Sequence, residues 1–267
     1  MKEEELRKMV RERYGKIAKV DKCGCGCGSN ISQQIGYSVD ELNEVPEEAD
    51  LNLGCGNPVA FASLKPGQIV VDLGSGGGLD CFLAAKKVGE KGQVIGIDMT
   101  AEMLDKARAN CRKGGYTNVE FRLGEIENLP IADNSADVII SNCVINLSPN
   151  KNRVFSEAFR VLKGGGRLMI SDLVLLQPLP PEVRKSVLAY VGCIAGASLK
   201  TEYIDMIKDA GFREVEVIEE NRYPIETDID DTTIKSVIND LKMTRKQIKE
   251  LTQSVVSVKV SAKKLPS

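Results

Sequence analysis

The sequence predicts an α/β fold built on a mostly parallel, doubly wound sheet. Three observations carry that expectation. Short apolar runs at 69–73, 93–97, 119–123, 137–141 and 166–173 alternate with helical periodicity near 79–88, 101–113 and 150–162, a pattern that implies parallel strands joined by right-handed crossovers. The first run stops at Gly74-Ser75-Gly76-Gly77-Gly78, where glycine permits a tight turn with a ligand pressed against the backbone. The second run stops at Asp98, 20 residues after Gly78, where a carboxylate can accept hydrogen bonds from both hydroxyls of a ribose.

A glycine turn alone packs a helix on a sheet as readily as it holds a ligand; turn and acid together point to a nucleoside cofactor. Dinucleotide sites usually carry G-x-G-x-x-G with the pyrophosphate on the helix N-terminus. Here Asp72 stands inside the strand just before the turn, and its carboxylate would repel a pyrophosphate while suiting an ammonium or sulfonium group. S-adenosylmethionine is therefore favoured over NAD.

Taken in order, residues 1–20 place Leu6, Met9, Val10 and Ile17 at helical spacing, which predicts an amphipathic helix laid on the main domain with its charges forming a solvated face. Cys23-Gly24-Cys25-Gly26-Cys27-Gly28 follows. Its spacing matches no common zinc pattern, and it reads as a thiol arm able to bind a soft ion or exchange disulfides, or as unstructured decoration. Gly54-Cys55-Gly56-Asn57-Pro58 is turn chemistry just ahead of the cofactor strand. Thr100 is a candidate N-cap, and the helix near 150–162 is expected to open at Ser148-Pro149 and close at Gly164-Gly165-Gly166. Gly124-Glu125-Ile126-Glu127 falls at the carboxyl edge of the sheet, near an adenine ring, although Glu125 also suits a helix start.

The fourth strand runs into Asn142-Cys143-Val144-Ile145-Asn146-Leu147-Ser148. That loop emerges on the same edge as the glycine turn, so Cys143 should face the methyl donor. Beyond Pro178-Leu179-Pro180-Pro181 a helix is expected to carry Cys193 among small residues. A helix from Thr201 is stopped by Gly211, and alternating strands at 215–217 and 255–261 should pair. Between them a helical insert, 224–252, includes a capping box of Thr244 and Gln247. Cys81 reads as a core residue and Cys111 as an exposed spare thiol.

Composition narrows the chemistry further. The 267 residues carry a net charge of −2 with acids and bases mixed throughout, so neither nucleic acid nor a membrane surface is an expected partner. No apolar run reaches the roughly 18 residues of a membrane span, and the charged start is unlike a signal peptide; the cytoplasm is the expected compartment. There are eight cysteines and no histidine. In a reducing compartment such cysteines are metal-binding or reactive more often than bridged. The commonest general base is missing, so the methyl acceptor should need little help in losing a proton.

At Cys55, Cys143 and Cys193, together with Asp72-Leu73-Gly74-Ser75-Gly76, Gly96-Ile97-Asp98-Met99-Thr100 and Gly124-Glu125-Ile126-Glu127, the chain resembles the S-adenosylmethionine-dependent arsenite methyltransferase family. The resemblance implies a class I, Rossmann-like sheet of seven strands with the last antiparallel, an N-terminal helix and thiol-rich arm over 1–58, a core over 59–200, and a C-terminal part over 201–267. It implies a donor site at Asp72, Gly74, Ser75, Gly76, Asp98, Met99, Gly124, Glu125, Ile126 and Asn142. Cys143 and Cys193 would hold arsenic(III). Cys55 and one of Cys23, Cys25 and Cys27 would deliver it and cycle through disulfides, with a glutathione- or thioredoxin-like thiol as reductant and arsenite or an arsenic-thiol conjugate as substrate. A monomer is expected. Two rivals are a methyltransferase for a quinone-like carbon or oxygen nucleophile, which leaves the cysteines idle, and a soft-metal carrier without turnover.

Overall fold

One seven-stranded sheet organises the computed structural model, which describes residues 3–19, 31–184, 186–222 and 243–266. In chain order the elements are α1 (Glu3–Lys19), α2 (Ile31–Gln34), α3 (Val39–Asn43), α4 (Pro58–Phe61), β1 (Ile69–Leu73), α5 (Leu79–Val88), β2 (Gln93–Asp98), α6 (Ala101–Gly114), β3 (Val119–Leu123), β4 (Ala136–Asn142), α7 (Lys151–Val161), β5 (Leu162–Leu175), α8 (Pro181–Arg184), α9 (Val187–Val191), α10 (Lys200–Asp209), β6 (Arg213–Arg222), α11 (Arg245–Ser254) and β7 (Val255–Lys263). The strands lie in the order β3-β2-β1-β4-β5-β7-β6. Pairing is parallel from β3 through β5, and β7 runs antiparallel to both β5 and β6.

The alternation of side chains along each strand splits the core in two. Val71 and Leu73 of β1 join Ile139, Phe155 and Tyr203 on one face. Val70 joins Phe82, Leu104 and Val138 on the other. A third apolar group, under α1, gathers Val10, Cys55, Leu147, Leu173 and Cys193. Burying each large apolar side chain contributes about 1.5–3 kcal/mol, and the third group spends some of that on thiols.

Four sequence expectations are corrected. α7 opens on Asn150, whose side chain accepts from Arg153 N–H, and not on Ser148-Pro149. It ends at Val161, because Gly164-Gly165-Gly166 belong to β5; Gly165 N–H and Gly166 C=O pair with Lys264, and the glycines form an irregular stretch of strand, not a helix stop. The helix expected to carry Cys193 breaks into α8 and α9 and ends at Val191, which leaves Cys193 in a turn. Thr100 is the N-cap of α6, as expected, although its side chain makes no cap bond. The charges of α1 are not all solvated: Arg7 pairs with Glu127 at 3.3 Å and Arg11 with Glu125 at 3.2 Å. The capping box of Thr244 and Gln247 is formed. The remainder of the expected insert, at 223–242, and the Cys23, Cys25 and Cys27 arm lie outside the described residues.

Glu157 shows how the sheet edge near the site is held. Its buried carboxylate accepts from Leu129 N–H at 2.9 Å and from Arg160 Nη2 at 2.7 Å, fixing the 124–131 loop to α7. Glu157→Ala should lower stability by about 2 kcal/mol, read as a lower urea midpoint with unchanged slope.

Candidate functional site

Strand order reverses between β1 and β4, so the loops leaving their carboxyl ends part and open a crevice. A cavity of about 520 Å³ fills it, within the roughly 300–1,000 Å³ typical of small-molecule sites. Its wall is built from Gly74, Ser75, Gly76, Asp98, Met99, Gly124, Ile126, Asn142, Cys143 and Cys193, all expected from the sequence. α1 adds Arg7, Val10, Tyr14 and Ile17 from above.

The carboxylate of Asp98 is held by the turn itself, accepting from Gly76 N–H at 3.0 Å and Thr100 N–H at 2.8 Å. Gly76 reaches that position with φ of 50°, which glycine adopts without a Cβ penalty. Burial pushes the Asp98 carboxyl up against those hydrogen bonds. Ser75 Oγ is buried in the same wall without a hydrogen-bond partner among the described residues.

Two expected cofactor residues do not reach the cavity. Asp72 shares the α5 side of β1 with Val70, so strand alternation turns it under α5, where it accepts the Cys81 thiol at 3.2 Å. Glu125 is drawn outward by Arg7 and Arg11. In addition to Asp98, a further carboxylate does line the cavity: that of Asp80, in the first turn of α5. It accepts from Tyr37 Oη at 2.7 Å and Asn142 Nδ2 at 3.3 Å, and burial pushes its pKa up to about 6. Sequence reasoning missed Asp80, because acids are common in the first turn of a helix and nothing local signals which way this one faces.

Cys143 and Cys193 both enter the cavity wall from the left-handed region, with φ of 56° and 64°. Non-glycine residues seldom stay there unless their surroundings fix them. Cys143 is fixed by its N–H on Ser171 C=O at 2.8 Å, and Cys193 by its N–H on Tyr190 C=O at 3.0 Å. The Cys193 thiol donates to Cys143 C=O at 2.9 Å.

Cys55 does not line the cavity; it lies behind Cys143. Its N–H donates to Asn142 Oδ1 at 3.1 Å, and Asn142 Nδ2 donates to Gly56 C=O at 2.7 Å. The glycines on either side are required by this approach: a Cβ at Gly54 would lie 2.8 Å from the Asn142 amide, and one at Gly56 would lie 1.8 Å from Ser171 Oγ. The sulfurs of Cys55 and Cys143 and a carboxylate oxygen of Asp172 all lie within 4.8 Å of one another. Asp172 was not foreseen, since an acid within a long apolar strand carries no motif. Cys111 is corrected from exposed to half-buried, its thiol 3.4 Å from Tyr116 C=O; Cys81 is core, as expected.

The thiols are held neutral. Burial pushes Cys55 up. At Cys143 the contact with Cys193 pulls down, but Cys55 and burial outweigh it and the net shift is well upward. At Cys193 the hydrogen bond with Cys143 and burial both raise the thiol. Burial lifts Asp172 to about 7 and lowers Lys151, the cation facing it.

Known proteins share this arrangement of chain. A family model described as a methyltransferase domain matches residues 64–211. An arsenite methyltransferase of Halobacterium salinarum is 51% identical over 230 residues, covering 80% of this chain and 59% of its own length. The human arsenite methyltransferase is 36% identical over 224 residues, covering 79% of this chain and 59% of its own length. This chain thus spans about three fifths of those relatives. The crystal structure of an arsenic(III) S-adenosylmethionine methyltransferase from Chlamydomonas reinhardtii superposes with a TM-score of 0.66 at 33% identity, covering 90% of this chain and 75% of that one. On sequence and fold alike, the chain belongs to the S-adenosylmethionine-dependent arsenic(III) methyltransferase family.

Proposed function

We propose that this chain methylates trivalent arsenic, arsenite or its thiol conjugate, with S-adenosylmethionine as donor. The observation that carries the reading is that Cys143 and Cys193, 50 residues apart, converge on the wall of the cavity that also holds the glycine turn and Asp98.

The residues present fit the donor. Asp98 is preorganised by two backbone N–H groups to take ribose hydroxyls, the unpartnered Ser75 Oγ offers a further polar contact, and the buried Asp80 carboxylate offers a counter-charge to a cationic group. Asp80 takes the part that the sequence suggested for Asp72. When bound, S-adenosylmethionine supplies an electrophilic methyl on a sulfonium. The chain's own contribution is to hold the acceptor and exclude water, with α1 closing over the cavity.

Trivalent arsenic is thiophilic and carries a lone pair but no proton. Its methylation therefore needs no general base, in keeping with a chain that has no histidine. Cys143 and Cys193 present sulfur to the cavity, and Cys55 stands behind them as a third ligand or as the partner of a disulfide. Methylation raises arsenic from the trivalent to the pentavalent state, so a return to the trivalent state takes two electrons, which a dithiol supplies on becoming a disulfide. A glutathione- or thioredoxin-like reductant then restores the thiols, which assigns the reaction to the reducing cytoplasm. Among the described residues no helix is long and apolar enough to cross a membrane.

Cys143→Ser and Cys193→Ser should each abolish methylation of arsenite, followed by mass spectrometry of products, while donor affinity stays unchanged. Turnover retained by either variant would remove its cysteine from the site. Asp98→Ala should weaken donor binding measured by calorimetry, with arsenite binding unaffected. Asp172 gives a pH test: its carboxyl is raised from an unfolded value near 3.8 to about 7, so the folded state holds the extra proton across that window. Its contribution to stability is complete below the unfolded value and is lost as pH climbs towards about 7, with a limiting slope of about 1.4 kcal/mol per pH unit. The urea midpoint of the native chain should therefore fall between pH 5 and pH 7.5 more steeply than that of Asp172→Asn.

A further inference from the structure

The group behind Cys143 holds more ligand atoms than trivalent arsenic uses. Cys55 and Cys143 sulfurs and an Asp172 oxygen lie within 4.8 Å of one another, and Cys193 touches the same group through Cys143. Asp172 is fully buried. One of its oxygens accepts from Tyr203 Oη at 2.9 Å; the other accepts from Asn146 Nδ2 and Leu173 N–H, each at 2.9 Å. Donors of this kind orient a carboxylate for metal binding. Three sulfurs in a pyramid satisfy arsenic(III), which leaves the hard oxygen of Asp172 idle.

A zinc-group dication makes the opposite demand. It takes four ligands in a tetrahedron and accepts thiolate and carboxylate together, at about 2.3 Å to sulfur and 2.0–2.2 Å to oxygen. Those lengths set neighbouring ligand atoms about 3.6–3.8 Å apart, so the group needs to close by only about 1 Å. We infer that Cys55, Cys143 and Asp172, with Cys193 as an adjoining sulfur, form a binding site for a soft divalent cation, zinc or cadmium, in which Asp172 is the oxygen ligand. Thiol protons leave to solvent as the ion enters, and the three anionic ligands outweigh its double charge. An ion seated there takes Cys143 away from the cavity, and its binding needs no methyl donor and no arsenic.

The test uses the full, reduced chain with Cys23, Cys25 and Cys27 replaced by Ser, so that the arm cannot take the probe. Cadmium chloride is titrated against a competing chelator, following the ultraviolet thiolate-to-cadmium charge-transfer band. One ion per chain is expected. Loss of a partner one step removed from a metal already costs about 10–100-fold in affinity, so Cys55→Ser, Cys143→Ser and Asp172→Asn should each weaken binding about tenfold or more. Asp172→Asn should keep the band intensity per bound ion, because the sulfurs remain, and Cys81→Ser should change nothing. Failure to bind cadmium, or a folded Asp172→Asn that binds as tightly as its parent, overturns the proposal. Should Asp172→Asn not fold, cadmium NMR on the chain with Asp172 intact decides: a mixed sulfur and oxygen environment supports the site, and an all-sulfur one overturns it.

Discussion

The amide of Asn142 is the fixed point of the site. From the end of β4 it grips the Gly54-Cys55-Gly56 loop twice, through Cys55 N–H and Gly56 C=O, and reaches Tyr37 Oη and the Asp80 carboxylate with the same nitrogen. One side chain thus sets the distance between the Cys55 loop and the Asp80 carboxylate. An asparagine does this where an aspartate would not, since the task calls for a donor and an acceptor on one rigid plane. Buried networks of this kind fix geometry when every member is satisfied.

Around that point the protein accumulates groups that prefer to be neutral. Asp80, Asp98 and Asp172 are buried, with their carboxyls raised, and Lys151, the cation facing Asp172, is itself shifted towards neutrality by burial; Arg7 and Arg13 bring positive charge to the cavity wall. The acids and thiols reward a cation or a neutral thiophile on their side of the cavity. Selectivity would then begin with the field of the cavity, before any contact with sulfur.

Much of this was legible in the sequence because it rests on local rules. The alternation of runs gives the parallel sheet, and the glycine turn and Asp98 give the cofactor edge; Gly-Cys-Gly reads as turn chemistry, and its close approach to Asn142 and Ser171 appears only in the structure. What was not legible depends on orientation. Asp72 and Asp80 are both acids flanking the turn; the pleat of β1 turns the first beneath α5, whereas the first turn of α5 sets the second facing the cavity. Cys193 is expected on the helix that opens at Pro178-Leu179-Pro180-Pro181; the chain breaks instead and sets it in a left-handed turn. Asp172 is invisible in a run of apolar residues, since its partners Asn146 and Tyr203 are distant in sequence.

The antiparallel seating of β7 between β5 and β6 has a long reach. Ser257 of β7 donates to the carbonyl of Cys55 at 2.7 Å, across 202 residues of chain. The Cys55 loop is therefore pinned by the last of the described strands to be made. During translation the earlier strands have the local contacts to form first, whereas this closure waits on the most distant pairing in the sheet. A ribosome-bound chain would carry an unfinished thiol pocket, and its sulfurs would gain their final spacing only when β7 slides in between β5 and β6.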